Sequence, residues 1–100
     1  MVPTILTEDE LRLALRSLPA WTLENNRLHV EYKFRDFVEA FGFLVQVALA
    51  AEAVNHHPEW SNVYNRVRID LTTHEAGGVT QRDIDLARRV DATAATFSRR

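Results

Sequence analysis

One hundred residues, 46% of them hydrophobic, are enough to build a buried core, and we expect residues 1–100 to form a single domain. The formal net charge of −2 gives no bias toward nucleic acid, so direct nucleic-acid binding is not expected. The sequence contains no cysteine, which excludes disulfides, thiolate metal sites and cysteine nucleophiles.

Targeting signals are not apparent in the sequence. Residues 1–4 lack the charged and apolar regions of a signal peptide. The longest apolar stretch, residues 41–51, is far shorter than the roughly 20 residues of a membrane span. We therefore expect a cytoplasmic protein without membrane contact. The arginines of the C-terminal region favour a solvated helix face over a phosphate-binding patch; they are Arg88, Arg89, Arg99 and Arg100.

The first predicted element is a helix that begins after Thr7 and ends before Pro19. Thr7 and Glu10 have the spacing of a capping box, in which each side chain accepts a hydrogen bond from the other residue's backbone N–H. Leucines recur at helical spacing between these limits.

Two strands are predicted next, a short one over 21–23 and a longer one over 28–34, joined by a polar turn. Apolar and polar residues alternate in the longer strand, which is typical of a half-buried antiparallel strand. His29 falls on its polar face, so we expect this histidine to face solvent and to take no part in a site.

A long helix is predicted from Asp36, which has capping-box spacing to Glu39, to about residue 54. Its apolar side chains are distributed nearly all round the helix, and such a helix must be buried nearly all round. One sheet in a chain of this length cannot cover every face. We therefore expect helix 36–54 to join copies of the chain into a homodimer or homotetramer; burial between the other two helices is the alternative.

The second half of the chain repeats the pattern of two strands and a helix. After Pro58, a run that begins at Val63 turns near Asn65 and continues as an alternating strand. A loop with two glycines follows, and Thr80 caps the last helix with Asp83 at its third position. The order α-β-β-α-β-β-α predicts an α+β fold, a four-stranded antiparallel sheet with three helices packed on one face.

Three of the four histidines lie in this second half: His56, His57 and His74. With an unperturbed pKa of about 6.5, histidine both gives and takes protons near neutral pH. Glu52 lies four residues before His56 and shares its face if the helix extends that far, where a carboxylate orients an imidazole. Pro58 disfavours helix at His57, so we expect the helix to end at the two histidines and the three imidazoles to converge at one rim of the sheet.

Each of these residues also has a plainer interpretation. The histidine pair could stabilise a helix C-terminus, and three histidines could ligate zinc, although the spacing favours metal-free acid–base chemistry. Trp60 and Tyr64 are expected to be core residues rather than a stacking platform. Asp83 is expected to be a helix N-terminal charge rather than a catalytic acid.

Taken together, the spacings resemble those of the pterin-4a-carbinolamine dehydratase family over residues 50–87. The residues that carry the resemblance are Glu52, His56, His57, Pro58, Glu59, Trp60, Tyr64, His74 and Asp83. The resemblance implies dehydration of 4a-hydroxytetrahydropterin to quinonoid dihydropterin and water, which recycles the pterin cofactor of aromatic amino acid hydroxylases. It implies no redox cofactor and no metal for this reaction.

The resemblance also implies roles for individual residues. We expect His56 and His74 to exchange protons with the substrate and His57 to bind and orient the pterin. Glu52 is expected to tune His56, and Asp83 to contact His74 or to position its loop. The other signature residues would belong to the substrate pocket or to the structure; they are Pro58, Trp60 and Tyr64.

Some relatives in this family act instead as binding proteins, either as transcriptional coactivators or as assembly chaperones. A non-catalytic binding protein on the same fold is therefore the alternative function. A chaperone-type relative is expected to have lost active-site histidines, and all three remain in this chain.

Overall fold

The structure is a computed structural model that describes residues 2–97. Within these residues the elements are α1 (Glu8–Leu15), β1 (Thr22–Glu24), β2 (Arg27–Lys33), α2 (Phe37–Ala53), β3 (Glu59–Val63), β4 (Arg66–Leu71), a short 3₁₀ helix (His74–Ala76) and α3 (Gln81–Ala95). This order confirms the predicted α+β fold.

The strands form one antiparallel sheet in the order β1-β2-β4-β3. Alternation along the two central strands separates the sheet's faces, and Val30 of β2 and Ile69 of β4 point into the core. Phe43 of α2 and Ile84 of α3 are buried in the same core. The three helices therefore pack on one face, as predicted, and polar side chains occupy the outer face.

Helix α3 is tied to the sheet by a partly buried polar contact. Asp91 accepts hydrogen bonds from Trp21 Nε1 at 2.9 Å and from the Tyr32 hydroxyl. Burial, together with the hydrogen bond and charge of Asp91, raises the pKa of Tyr32 well above its usual range, so this hydroxyl stays a donor. The contact holds α3 against β2 and thereby fixes the position of the helix that carries Asp83.

Two helices begin with a complete capping box, one predicted at Thr7 and one formed at the predicted cap Thr80. Thr7 with Glu10 and Thr80 with Asp83 each form both reciprocal hydrogen bonds. At α2, Asp36 accepts from the Glu39 backbone N–H, but the Glu39 side chain accepts from the backbone N–H of Arg35 instead. The predicted box at α2 is therefore only half formed.

Helix α2 ends at Ala53, within one residue of the predicted end near residue 54, but it does not extend to the two histidines as Pro58 led us to expect. The cause is Asn55, which adopts a left-handed backbone conformation with φ 52°. The His56 N–H bonds to the Ala51 carbonyl and the Asn55 N–H bonds to the Glu52 carbonyl, the pattern of a Schellman motif. The motif turns the chain back toward the core.

The other boundaries differ by a few residues. Strand β3 begins at Glu59, four residues before the predicted start at Val63. The predicted loop after β4 contains the 3₁₀ helix, which His74 begins and after which Gly77 adopts a φ of 81°. His74 consequently lies in a short connection beyond β4 and not on the strand itself.

Helix α2 has one buried and one exposed apolar face. The buried face includes Phe43, Leu44 and Val47. The exposed face consists of large apolar side chains that are 46–79% exposed: Phe37, Val38, Phe41, Val45 and Leu49. The helix is therefore not buried all round within one copy of the chain.

In residues 2–97, no helix combines the length and the apolar character that crossing a membrane requires. Arg88 and Arg89 lie exposed on α3, as expected for a solvated helix face. The other two arginines of that prediction, at positions 99 and 100, lie outside the described residues.

Candidate active site

The three histidines of the second half line one cleft of about 260 Å³. The cleft lies where α2 has ended and β4 gives way to the 3₁₀ helix, and its lining consists of Asn55, His56, His57, Thr72, Thr73, His74 and Glu75. The structure thus brings together the imidazoles that the sequence predicts to converge at one rim of the sheet.

His56 is the buried histidine of the cleft, with 9% of its surface exposed. The Schellman turn at Asn55 directs its ring toward the start of α3, where Nε2 donates to Asp83 Oδ1 at 2.6 Å. An ionised carboxylate only accepts hydrogen bonds, so the contact places a proton on Nε2. In the neutral ring, Nδ1 is then the nitrogen without a proton.

Asp83 is fully buried, and its second oxygen is also satisfied. Oδ2 accepts from the Thr73 hydroxyl at 2.8 Å and from the Thr80 backbone N–H at 2.9 Å. The Thr73 proton points to Asp83, so the Thr80 hydroxyl donates to Thr73 at 2.7 Å. Asp83 therefore joins the cap of α3, the residue before His74 and the ring of His56 in one buried network.

The predicted partner of Glu52 is wrong. Glu52 Oε1 accepts from Nε2 of His57 at 2.8 Å, and the carboxylate that holds His56 is Asp83. The spacing of four residues from Glu52 to His56 would align the side chains only on a continuous helix, which the turn at Asn55 interrupts. Both members of the Glu52–His57 pair are largely exposed.

His74 is exposed and lies opposite Glu59, a signature residue to which the sequence analysis assigns no role. Its Nε2 is 3.4 Å from Glu59 Oε2, and Glu59 Oε1 accepts a hydrogen bond from Arg27. Asp83 does not bond to His74 but bonds to its neighbour Thr73. Asp83 can therefore position the loop that carries His74, as one of the two expected roles requires, through its hydrogen bond with Thr73.

The aromatic signature residues are not core residues, contrary to expectation. Trp60 is 41% and Tyr64 is 62% exposed. Trp60 lies on the edge strand β3, and Tyr64 occupies the turn after it with a φ of 51°. Neither side chain lines the cleft, and Pro58 is half-buried at the start of β3.

His29 is not the solvent-facing side chain that alternation predicts. Its side chain is 13% exposed, and Nδ1 donates to Asp70 Oδ1 at 2.8 Å. Burial lowers the pKa of His29, but the hydrogen bond and charge of Asp70, with smaller contributions from Glu24 and Glu31, outweigh burial and raise the pKa above 6.5.

A larger cleft, of about 360 Å³, surrounds His29 on the outer face of the sheet and contains none of the three histidines above. Register pairing explains the burial of His29, because Asp70 lies directly opposite it on β4. Both residues fall on polar faces of alternating strands, and this shared pattern is the signal that sequence reasoning could have used.

The arrangement suits proton transfer. Three imidazoles border one cleft, each beside a carboxylate, and one imidazole is buried while two reach solvent. Within residues 2–97, no group of three or more histidine, aspartate or glutamate side chains is arranged to hold a metal ion.

Comparison with known proteins shows which family this chain is similar to. The family described as Pterin 4 alpha carbinolamine dehydratase matches residues 4–93. A protein of Solibacter usitatus, whose name assigns it as a pterin-4-alpha-carbinolamine dehydratase, is 61% identical over 92% of this chain and 97% of its own length. A Rhodopseudomonas palustris protein with the same assignment is 54% identical over 95% of this chain and 96% of its own.

Solved structures agree with the family at the level of the fold. The transcriptional coactivator/pterin dehydratase of Brucella melitensis superimposes with a TM-score of 0.88 at 47% identity, covering 91% of this chain and 99% of its own. A pterin dehydratase-like RuBisCO assembly factor of the alpha-carboxysome shares the fold, with a TM-score of 0.65 at 24% identity over 75% of this chain and 89% of its own. On the match along almost its whole length, the chain belongs to the pterin-4a-carbinolamine dehydratase family.

Proposed function

We propose that this chain, as a single domain, dehydrates 4a-hydroxytetrahydropterin to quinonoid dihydropterin and water, and so recycles the pterin cofactor of aromatic amino acid hydroxylases. The observation that carries the proposal is the cleft in which three imidazoles meet, each beside its own carboxylate. The names of relatives at 61% and 54% identity support the same reaction. A cytoplasmic location is part of the proposal.

The reaction needs two proton transfers, and the cleft offers groups for both. The 4a-hydroxyl leaves as water when a general acid protonates it, and a base takes a proton from the ring nitrogen. Positioned imidazoles perform such steps with a gain of about 10²- to 10⁴-fold each. We assign the proton exchanges to His56 and His74, and the binding and orientation of the pterin to His57. The reaction in this form uses no redox cofactor and no metal.

The observed contacts change the supporting roles. Asp83, not Glu52, holds His56, and Glu52 holds His57. The buried pair fixes the tautomer of His56 with the proton on Nε2, so Nδ1 is the atom of His56 that we assign to the substrate. The exposed pair suits a binding role, since His57 is free to adjust to the ligand.

The test is an assay of chemically made 4a-hydroxytetrahydropterin with and without a chelator. We expect dehydration above the uncatalysed rate in both conditions and a fall of at least about 10²-fold in His74→Ala. The matched control is His29→Gln, which removes a histidine outside the cleft. An unchanged rate in His74→Ala would refute its assigned role, and an inactive wild-type protein would refute the enzyme.

A second candidate, a non-catalytic binding protein, has one observation in its favour, the exposed apolar face of α2. The Brucella relative is described as both a transcriptional coactivator and a pterin dehydratase. The complete set of three histidines favours the enzyme, because a binding protein has no need of them. Wild-type protein without dehydratase activity would make the binding function the better proposal.

We further propose that a second copy of this chain covers the exposed face of α2, giving a homodimer or homotetramer. The exposed residues recur along one side of the helix with no charge among them, and a self-complementary stripe of this kind suits a symmetric interface. In light scattering we expect a dimer or tetramer for the wild type and smaller species for Leu49→Glu. The control Leu13→Glu, similarly exposed on α1, should keep the wild-type mass; a monomeric wild type would contradict the assembly.

A further inference from the structure

Two of the three carboxylates beside the histidines also bond to other parts of the protein through their second oxygen. Asp83 gives one oxygen to His56 and the other to Thr73 and Thr80. Glu59 repeats this division on the opposite side of the cleft, with Oε2 facing His74 and Oε1 bonded to a scaffold side chain. A carboxylate with one oxygen fixed to the scaffold has a defined place for the other oxygen.

Arg27 is the scaffold side chain that anchors Glu59. It begins β2, one residue beyond Leu28, the last residue of β2 that pairs with β4. From that position its guanidinium reaches across β4 to Glu59, the first residue of β3. The pair therefore bridges two strands that are not neighbours in the sheet, and it does so at the residue that faces His74.

The charges around Glu59 indicate that its place depends on Arg27. Glu59 lies directly opposite Asp70 on β4, and like charges in opposite positions repel. His29 pairs with Asp70, and Arg27 pairs with Glu59. Among residues 2–97, Glu59 is the only acidic residue within ion-pair distance of the His74 ring.

His74 needs such a partner more than the other two histidines. Its side chain is 70% exposed, and an exposed imidazole without a partner samples several rotamers. An ion pair this exposed adds little to folding stability, because solvent screens it. Its effect is instead on the ring itself, which it holds at the rim with Nε2 toward Glu59 and Nδ1 available to a ligand.

We propose that Glu59, anchored by Arg27, is a positioning residue that holds His74 for proton exchange with the pterin. The inference rests on the proposed dehydratase function and on the role of His74 in it. Glu59 orients the ring and balances the positive charge that His74 carries after it accepts a proton. Arg27 acts one step further away, by fixing the carboxylate.

The test compares Glu59→Gln with the wild type in steady-state kinetics. We expect kcat to fall roughly 10-fold and KM to stay within about twofold, since the substrate still binds but the ring is less often in place. The matched control is Glu31→Gln, on the same outer face but beside His29, which should leave kcat and KM unchanged.

Double variants show whether the three residues act as a unit. Arg27→Gln should lower kcat less than Glu59→Gln does, and it should have no further effect in the Glu59→Gln background. Arg27→Lys keeps the positive charge and should therefore retain most of the wild-type kcat. In the His74→Ala background, Glu59→Gln should have no further effect. Unchanged urea midpoints would show that the variants are folded, and ring-nitrogen NMR shifts that change at His74 but not at His57 would report the loss of position.

The outcomes separate this proposal from the one on which it rests. If His74→Ala is impaired and Glu59→Gln matches the wild type, the positioning role alone is wrong. It is also wrong if Glu59→Gln raises KM without lowering kcat, or if its effect persists without His74. An inactive wild-type protein, or a His74→Ala variant with full activity, would instead overturn the proposed function and the positioning role with it.

Discussion

The two histidines that follow α2 are neighbours in the chain, yet their surroundings are opposite. His56 points inward and bonds to a fully buried aspartate whose every contact is made inside the protein. His57 points outward and bonds to Glu52, and both side chains are largely exposed. We therefore expect the two pairs to have different roles. The buried pair holds His56 in one position and tolerates few substitutions, whereas the exposed pair can adjust to a ligand.

The largest expected effect comes from a substitution that disrupts the buried His56–Asp83 pair. In Asp83→Asn, an NH₂ group replaces one acceptor oxygen, so a donor now faces either His56 or Thr73 and Thr80. We expect a loss of about 3 kcal/mol in the free energy of unfolding, as for other broken buried charge networks, together with a large fall in kcat. Urea unfolding and dehydratase kinetics measure both.

The control for this prediction is Asp85→Asn, two residues further along α3. Asp85 is exposed, and we expect its replacement to change the unfolding free energy by less than about 0.5 kcal/mol. Equal effects of the two substitutions would show that the buried network contributes no more than a surface carboxylate.

A smaller change tests the same network without altering charge. Thr73→Val removes the hydroxyl that donates to Asp83 and accepts from Thr80 while keeping nearly the same volume. We expect a loss of about 1–2 kcal/mol in the free energy of unfolding. In addition kcat should fall, because Thr73 precedes His74. The control is Thr22→Val, at an exposed position on β1. A Thr73→Val protein as stable and active as wild type would contradict the proposed link between the Thr73–Asp83 hydrogen bond and His74.

The exposed half of the comparison predicts an effect on binding rather than on folding. His57→Ala should raise KM for the pterin about 10-fold, equivalent to about 1.4 kcal/mol, and change the unfolding free energy by less than about 0.5 kcal/mol. Glu52→Gln, which keeps a hydrogen-bond acceptor near the ring, should raise KM less. A collapse of kcat at unchanged KM in His57→Ala would show that the exposed histidine exchanges protons itself.

How far the sequence predicts this molecule depends on the range of the interactions involved. Capping at Thr7 and Thr80 and the alternation of β2 are set by residues a few positions apart, and these predictions are confirmed. The convergence of the histidines follows from element order, because helix ends and strand ends in such a fold share a rim. The pairing of Glu52 failed because a single left-handed residue, Asn55, ends the helix early.

The other misses concern contacts that no local pattern encodes. Trp60 is exposed because β3 is an edge strand, and the strand order is not visible in hydrophobic alternation. Glu59 meets Arg27 and His74 only after three separate elements have been assembled. For the end of α2 the sequence did carry a local signal, because asparagine, here Asn55, is common in the left-handed position after a helix.

The smallest expected effect extends the comparison to His29, a third histidine–aspartate pair, outside the cleft. Because the pKa of His29 is raised in the folded state, its protonated form stabilises the fold. That contribution is fully present below the unfolded pKa of about 6.5 and is lost as the pH rises through the higher folded value. Chemical unfolding from pH 5.5 to 8.5 should therefore show His29→Gln less stable than wild type at the acidic end.

The difference should be below about 1 kcal/mol at acidic pH, and it should shrink as the pH rises because His29 loses its charge. Glu10→Gln, on the surface of α1, is a control that leaves the outer face of the sheet intact. A difference that is constant with pH would mean that His29 stabilises the protein by packing alone. A pH-dependent difference without a change in kcat would show that the His29–Asp70 pair contributes to stability and not to catalysis.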